Sequence, residues 1–452
     1  MTATDSSGGG GFRRELGLAD ASVVVAGSIV GIGIFANPSV VAGVLGEPWL
    51  ILLAWAIGGS IALLGGFAYA ELGSRFPVVG GQYVYLSRAY HPVVGFLYGV
   101  ALLFIVNGGA LAAVAILVAS YVDRTFVAVG PIGVKLMGAS LLVALTIVNA
   151  LGIRLGKLTN NAIGAAKAAG MLALMALALT RGSPASDLTA GASAATIGAS
   201  WQPLLTALIP IMFAYGGWQN AAAIAGEIKN PERNLAWANV LGVTAVIVLY
   251  LGLNVAYLWV LPADRVAASS AVAADMARAV AGDAGARFVS LLIFVSGLGF
   301  LFVIILTGAR LFYAMATDGL LPRAMARIHP RYQTPVVALW AQTSVALVLL
   351  ATNRYDQLLS YVVFADWLFF GLTVAAIFRL RRGVRSPATE AHVVRMPGHP
   401  VTTIVFVAAA AGIVVNSFVA YPTQSLIGST ILVAALVAFV IMFGARRAET
   451  RV

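Results

Sequence analysis

Apolar stretches long enough to cross a bilayer recur along the whole 452-residue chain, and short polar segments separate them. A helix that crosses the hydrocarbon core takes about 20 residues. The pattern therefore predicts an all-α membrane protein with twelve transmembrane helices. Their approximate bounds are 18–46, 48–74, 92–122, 131–151, 158–180, 201–226, 235–260, 287–316, 335–352, 357–380, 400–420 and 424–445. Spans one, three and eight exceed the bilayer thickness, which indicates tilted or broken helices.

Composition and charge support a membrane location. Hydrophobic residues make up 60% of the chain and charged residues only 10%, against about 25% charged in a soluble protein. If the N-terminus is cytoplasmic, 20 of the 28 Lys and Arg residues lie in cytoplasmic segments and 7 lie outside. Because cytoplasmic loops carry the excess of positive charge, we expect both termini on the cytoplasmic side of the cell membrane. This distribution explains the net charge of +11 without a nucleic-acid partner.

The reactive residues are few and scattered. The chain contains no cysteine, which excludes disulfides, thiol catalysis and Cys-ligated metals. The four histidines fall in separate predicted loops, so we expect no metal site and no cofactor. A membrane-embedded enzyme would need a cluster of histidines and carboxylates, or a nucleophile with a base, near one membrane face. The N-terminal residues lack an apolar core, so we expect no cleaved signal peptide.

Two predicted spans are interrupted by glycines. The first contains AGSIVGIGIFANP at residues 26–38, and the sixth contains FAYGGWQ at residues 213–219. Since five spans separate the two segments, the second copy runs through the membrane in the opposite direction. Interrupted spans at corresponding positions of inverted repeats indicate the substrate site of a secondary transporter. The alternative is that the glycines serve only close helix packing.

A broken helix exposes backbone groups that can bind a ligand. Amides at the start of a half-helix favour a carboxylate, and carbonyls at the end of one favour an ammonium group. Here the amides of residues 32–34 could face a carboxylate. Carbonyls near Ile29 and at 213–215 could accept from an ammonium group. An α-amino acid satisfies both sets of groups without any charged side chain.

Four ionisable residues lie in or near predicted spans. Lys167 lies about ten residues into the fifth span, where a lysine costs about 2.5–3.5 kcal/mol on insertion scales. It could replace a coupling cation, carry a proton, tether two helices or serve structure alone. Asp366 in the tenth span could be a proton site, a packing partner or the partner of a distant cation. Glu71 and Glu227 lie near the inner ends of spans two and six, where gate or loop anchoring is expected.

The chain resembles the amino acid–polyamine–organocation (APC) superfamily, most closely bacterial members of the L-amino acid transporter (LAT) family. Five motifs in order carry the resemblance between about residues 16 and 383: LGLADASVVVAGSIVGIGIF, FAYAELGSRFPVVGGQYVYLSRAYHPVVGFLYG, FAYGGWQNAAAIAGEIKNPERNL, TGARLFYAMATDGLLP and FADWLFFGL. The resemblance implies two inverted five-helix repeats, at 16–180 and 201–383, with discontinuous helices one and six. Two extra helices at 400–445 follow, between tails at 1–15 and 446–452.

The resemblance also implies roles for individual residues. The substrate carboxylate would meet the turn at 31–33, Phe213 would be an aromatic gate, and Lys167 would stand where sodium-coupled relatives bind an ion. Sodium independence would follow. The expected substrate-binding residues are Ile29, Gly31, Ile32, Gly33, Phe213, Ala214, Tyr215 and Gly217.

Two departures from the family matter. Many relatives have a serine where this chain has Ile32, so any hydroxyl contact to the carboxylate is lost and only backbone contacts remain. Animal members are joined to a partner glycoprotein through a cysteine. This chain has no cysteine, so we expect no disulfide-linked heavy chain.

The expected substrate is a neutral L-amino acid, because the residues expected at the site include no charged side chain. Exchange is the favoured mode of transport. Proton-coupled symport and a membrane amino-acid sensor that does not transport remain alternatives.

Overall fold

The computed structural model describes residues 17–76, 81–152, 157–185, 187–188, 201–219, 228–317, 319–382 and 393–449. Helices dominate this part of the chain. The predicted N-terminal tail at 1–15, the last three residues of the predicted C-terminal tail at 446–452, the end of the predicted sixth span at 220–226, and Glu227 lie outside the described residues.

The first half of the chain contains eight α-helices. They are α1 (Leu18–Ile29), α2 (Asn37–Leu45), α3 (Pro48–Arg75), α4 (Gly81–Ala89), α5 (Pro92–Ala101), α6 (Gly108–Thr125), α7 (Gly130–Ala150) and α8 (Lys157–Arg181). A 3-10 turn at Gly33–Phe35 precedes α2, and a π-helical segment at Leu102–Asn107 joins α5 to α6.

The second half contains eight further α-helices and the 3-10 turn Arg323–Ala326. They are α9 (Trp201–Ala214), α10 (Pro231–Val260), α11 (Ala263–Ala268), α12 (Val272–Thr317), α13 (Val336–Thr352), α14 (Tyr355–Leu380), α15 (Val401–Ala420) and α16 (Pro422–Glu449). Helix α12 has a break at Gly282, where φ is +68°. Hydropathy alone did not indicate the short helices α4 and α11.

Nine helical segments of the described chain are long and apolar enough to cross a membrane, and three shorter apolar helices accompany them. The shorter three are α1, α9 and α13. The chain is thus a multi-pass helical membrane protein. The count of twelve crossings and the inverted repeat remain predictions.

Helix α6 lies at the centre of the bundle. The continuous segment Pro92–Thr125 has 83% of its most apolar stretch buried, whereas α7 has 22% buried and faces outward. Helix α6 packs against α7, α12, α13 and α14, while α10 packs against α1 and α3. Gly59 and Gly66 permit the close packing of α3 against α10, because a Cβ at either glycine would lie 3.0–3.2 Å from side chains of α10.

Candidate functional site

The first predicted interruption is present in the backbone. Helix α1 ends at Ile29, the Gly31 amide bonds back to the Ile29 carbonyl at 2.6 Å, and the chain turns into the 3-10 segment at Gly33. Helix α2 then begins with Pro38 in its first turn, a position that suits a residue without an amide hydrogen. Within the described residues, the amides of residues 32–34 donate no hydrogen bond.

Helix α9 ends within the second predicted interruption. It contains Pro210, which removes one intrahelical bond, and it stops at Ala214. The next residues form a turn in which the Gly216 amide bonds to the Phe213 carbonyl at 3.2 Å. Gly217 has φ of +120°, a conformation that favours glycine. Helix α9 therefore gives way to a turn inside the second predicted interruption.

The two breaks lie against each other. The Ser28 hydroxyl donates to the Gly217 carbonyl at 3.1 Å. A Cβ on Gly217 would clash with the Ser28 carbonyl and lie 3.0 Å from the Ile29 Cα. On the other side of the break, a Cβ on Gly33 would lie 3.2 Å from the Ala214 Cα. Glycine at these two positions permits the close contact between the segments.

Lys167 lies beside the first break. Its side chain is 8% exposed, and Nζ donates to the Val30 carbonyl at 3.4 Å. Among the residues that the structure describes, no carboxylate pairs with it. An ammonium group buried in this way adds positive charge to the junction where the free amides lie. Both features favour an anionic ligand group at the break.

The other predicted site residues differ in how far they are buried. Ile29, Ile32 and Tyr215 are at most 2% exposed, whereas Phe213 is half-buried and packs against two hydrophobic clusters. The Tyr215 hydroxyl donates to the Trp55 carbonyl at 3.3 Å, which directs this side chain into the core. Tyr215 can therefore offer a ligand its backbone carbonyl, as its position in the turn suggests.

Several residues that hold the break were not indicated by the sequence. The Tyr250 hydroxyl donates to the Ile29 carbonyl at 3.2 Å, and its ring lies 5.2 Å from that of Tyr215 and 5.9 Å from that of Trp55. The Tyr121 hydroxyl donates to the Phe35 carbonyl at 2.6 Å. Freed carbonyls in a bilayer need donors. The only trace of these donors in the sequence was the presence of tyrosines in other apolar spans.

Asn37 connects three elements just after the first break. It is fully buried, its Nδ2 donates to the Pro210 carbonyl at 2.6 Å, and its Oδ1 accepts from the Tyr355 hydroxyl at 2.7 Å. Pro210 frees the carbonyl of residue 206, and α9 ends four residues after the proline, so the bond from Asn37 to the Pro210 carbonyl stabilises the last turn of this helix. The sequence feature that could have indicated Asn37 is a single side-chain amide within an apolar segment.

Two further carboxylates indicated by the sequence, Asp366 and Glu71, have different environments. Asp366 is half-buried in α14 near Tyr98 and Tyr69, and no hydrogen bond or ion pair to it is found in the described part of the chain. No described contact brings it to either break. Glu71 is fully buried and accepts bonds from Arg75 at 2.9 Å, from Arg381 at 2.8 and 2.6 Å, and from the Met396 amide at 2.8 Å. Glu71 thus anchors α14 and the following loop to α3.

This arrangement defines a class of protein, a multi-pass membrane transporter. The description "Amino acid permease" belongs to the family whose model matches residues 16–443. The chain belongs to this amino acid permease family, so it is a transporter and not an enzyme.

Characterised relatives are similar over most of their length. The serine/threonine exchanger SteT of Bacillus subtilis (strain 168) is 29% identical over 87% of this chain and 89% of its own. The human b(0,+)-type amino acid transporter 1 is 30% identical over 82% of this chain and 76% of its own. The large neutral amino acids transporter small subunit 2 of Oryctolagus cuniculus is 31% identical, over 83% and 72%. These relatives support amino acid transport by this chain.

Proposed function

We propose that this protein exchanges neutral L-amino acids across the cytoplasmic membrane, independently of sodium and by alternating access. The observation that carries the proposal is the pair of facing breaks, with the free amides of residues 32–34 on one side and Lys167 beside the Val30 carbonyl. The amides would bind the substrate carboxylate, with Gly31, Ile32 and Gly33 contributing backbone alone. Carbonyls of residues 213–215 would accept from the substrate amino group, and the Ile29 carbonyl would do so in exchange for one of its two present donors, the Gly31 amide and the Tyr250 hydroxyl.

Lys167 is proposed to take the place of a coupling cation. A sodium ion would need several oxygen ligands free of other positive charge, and the Val30 carbonyl is already the acceptor for an ammonium group. The half-buried Phe213 is proposed as the gate that covers the bound substrate. The side chains of Ile29 and Ile32 are buried and apolar, and the Lys167 ammonium is assigned to the cation position beside the break, which favours neutral amino acids. The relatives include an exchanger and a large neutral amino acids transporter, and these agree with the proposal.

Counterflow in proteoliposomes tests this function. Vesicles loaded with one unlabelled amino acid are diluted into trace labelled amino acid, and a panel of all amino acids is examined with and without sodium. We expect accumulation of neutral amino acids that does not depend on sodium. Absence of accumulation for every member, with demonstrated ligand binding, would favour the sensor alternative.

Proton-coupled symport is the second candidate, because Asp366 lies in a predicted span and has no hydrogen-bond or ion-pair partner among the residues that the structure describes. Empty vesicles with an inward proton gradient separate the two modes. Uptake driven by the gradient without internal substrate would favour symport, and dependence on internal substrate would favour exchange.

The proposed orientation places both termini in the cytoplasm. Since the natural chain has no cysteine, single introduced cysteines are unique labels. The substitution Ala324→Cys is expected to react with an impermeant maleimide only after cell lysis, whereas Ser183→Cys is expected to react on intact cells. The opposite pattern would reverse the topology.

A further inference from the structure

A groove on the outer surface of the bundle, away from both breaks, combines apolar walls with one polar end. It lies where the end of α7 meets the start of α13 and has a volume of about 240 Å³. Its walls are formed by Ile147 and Leu151 on one side and Val336 and Trp340 on the other. Ile147 and Leu151 are 44% and 43% exposed. In a helix that spans a membrane, such exposed apolar residues face lipid.

The polar end of the groove is a structured loop. The Thr334 hydroxyl donates to the Ala150 carbonyl at 2.7 Å, and the His329 amide donates to the Thr334 carbonyl at 2.9 Å. Gly152 lies directly beneath the Tyr332 carbonyl, because a Cβ there would lie 2.8 Å from it. These contacts hold the loop against the end of α7, so the polar end keeps a fixed position relative to the apolar walls.

This loop presents donors that suit a phosphate. His329 Nδ1 accepts from the amides of Arg331 and Tyr332, both at 3.3 Å, so the ring hydrogen of the neutral imidazole lies on Nε2 and can donate to a ligand. The His329 and Tyr332 rings stack with centroids 4.7 Å apart. The Arg331 guanidinium lies 5.5 Å from the Tyr332 ring centroid and is exposed. A guanidinium in this position can form two parallel hydrogen bonds to phosphate oxygens.

We propose that the groove binds one anionic phospholipid of the surrounding bilayer. The acyl chains would lie along Ile147, Leu151, Val336 and Trp340, and the phosphate would accept from His329 Nε2 and Arg331. Charge complementarity selects this occupant, because the same loop carries two further exposed arginines, Arg323 and Arg327, and no acidic residue between 319 and 340. Basic pockets between transmembrane helices bind anionic lipid head groups. Trp340 is placed as an interfacial aromatic anchor. The proposal goes beyond the transport function and does not depend on the identity of the substrate.

Native mass spectrometry with added phosphatidylglycerol or phosphatidylcholine tests the proposal on the full-length protein. We expect one phosphatidylglycerol to be retained per chain in preference to phosphatidylcholine. Arg331→Gln should weaken retention at least fivefold. The control Arg323→Gln makes the same charge change in the same loop, at a residue that does not stack on Tyr332 as Arg331 does, and should leave retention within twofold of wild type. Equal retention of the two lipids, or equal losses in the two variants, would overturn the proposal.

Fluorescence quenching supplies a second measurement that does not rely on the arginine variants. Phosphatidylglycerol with brominated acyl chains, at a low mole fraction in phosphatidylcholine vesicles, should quench wild-type fluorescence more than that of Trp340→Phe. Brominated phosphatidylcholine at the same fraction should quench the two proteins alike. If brominated phosphatidylglycerol also quenches both proteins to the same extent, no anionic lipid occupies the groove.

Discussion

The substitution Lys167→Met isolates the charge at the first break. Methionine keeps an unbranched chain of similar length, so the packing of α8 is preserved while the ammonium group is removed. The variant loses the bond from Nζ to the Val30 carbonyl and the positive charge next to the free amides. If that charge serves substrate binding, transport falls although the fold is intact.

The expected magnitudes have opposite signs for transport and for stability. Hydrogen bonds to charged groups contribute about 1.5–3 kcal/mol, and the 3.4 Å distance places this one near the lower end. If the charge contributes about 1.4 kcal/mol to holding the substrate carboxylate, which is a factor of ten, we expect a fall in transport of about tenfold. A lysine inside a span costs about 2.5–3.5 kcal/mol on insertion scales. After loss of the bond, the methionine variant is therefore about 1–2 kcal/mol more stable than wild type.

The assay pairs initial counterflow rates with thermal unfolding of the same preparations. Lys135→Met is the matched control, because Lys135 Nζ also donates to a backbone carbonyl, that of Ala351 at 2.8 Å, but at the exposed surface. The control should transport within twofold of wild type. Near-normal flux in Lys167→Met would refute the role of the charge. A loss of flux that parallels a loss of stability would show that Lys167 serves the fold alone.

Three further predictions concern the breaks and the Glu71 cluster. Gly33→Val should abolish substrate binding measured by calorimetry, because even a Cβ would lie 3.2 Å from the Ala214 Cα. Gly217→Ala should lower counterflow more than tenfold, since the new Cβ would clash with the Ser28 carbonyl at a φ of +120°. Glu71→Gln should lower the free energy of unfolding by about 3 kcal/mol, because it leaves Arg75 and Arg381 without their carboxylate, and chemical denaturation measures this.

Each of these predictions has a matched control. Gly31→Ala is the control for Gly33→Val and should keep substrate binding, because its Cβ would meet no atom closer than 3.8 Å. Loss of binding in this control would show that Gly31 and Gly33 act through backbone flexibility. Gly43→Ala is the control for Gly217→Ala; it lies in open space on α2 and should leave flux unchanged. If it lowers flux as much as Gly217→Ala, the clash with Ser28 does not explain the effect at Gly217. Asp356→Asn breaks an exposed ion pair of 3.7 Å with Arg354 and should change stability by less than about 1 kcal/mol.

Hydropathy and glycine spacing predicted the helical membrane class and the positions at which α1 and α9 end. Between Ile29 and Gly33, where glycines cluster, the chain is not helical, and this leaves backbone amides and carbonyls free, as predicted. Helix α4 and the join between α5 and α6 were not predicted. Helix α4 is too short and polar to produce a hydropathy signal, with Gln82 and Arg88 among its nine residues. A π-helical segment shares its composition with an α-helix.

The candidate site was predictable only in its backbone. Glycines mark where a helix can break, so Gly31, Gly33 and Gly217 were visible in the sequence. The partners of the freed carbonyls come from distant spans, and Tyr250 is 221 residues from Ile29. A tyrosine in an apolar helix gives no periodic signal that separates a hydrogen-bond donor from a packing residue. The Tyr215 side chain lies against Trp55 and Tyr250, which leaves the backbone carbonyl of Tyr215 for its predicted role at the substrate.

The donors around the first break divide into two sets. Tyr250 and Lys167 hold the carbonyls at the end of α1, whereas Tyr121 holds the Phe35 carbonyl just before α2. Beyond it, Asn37 attaches α2 to α9 and α14. Because no donor is shared, displacement of α1 breaks three bonds, those from Tyr250 and Lys167 and that of Ser28 to Gly217, each worth roughly 1 kcal/mol, and leaves the attachments of α2 intact. The two sides of the first break are thus held by separate sets of bonds, so α1 can exchange its partners without loosening α2.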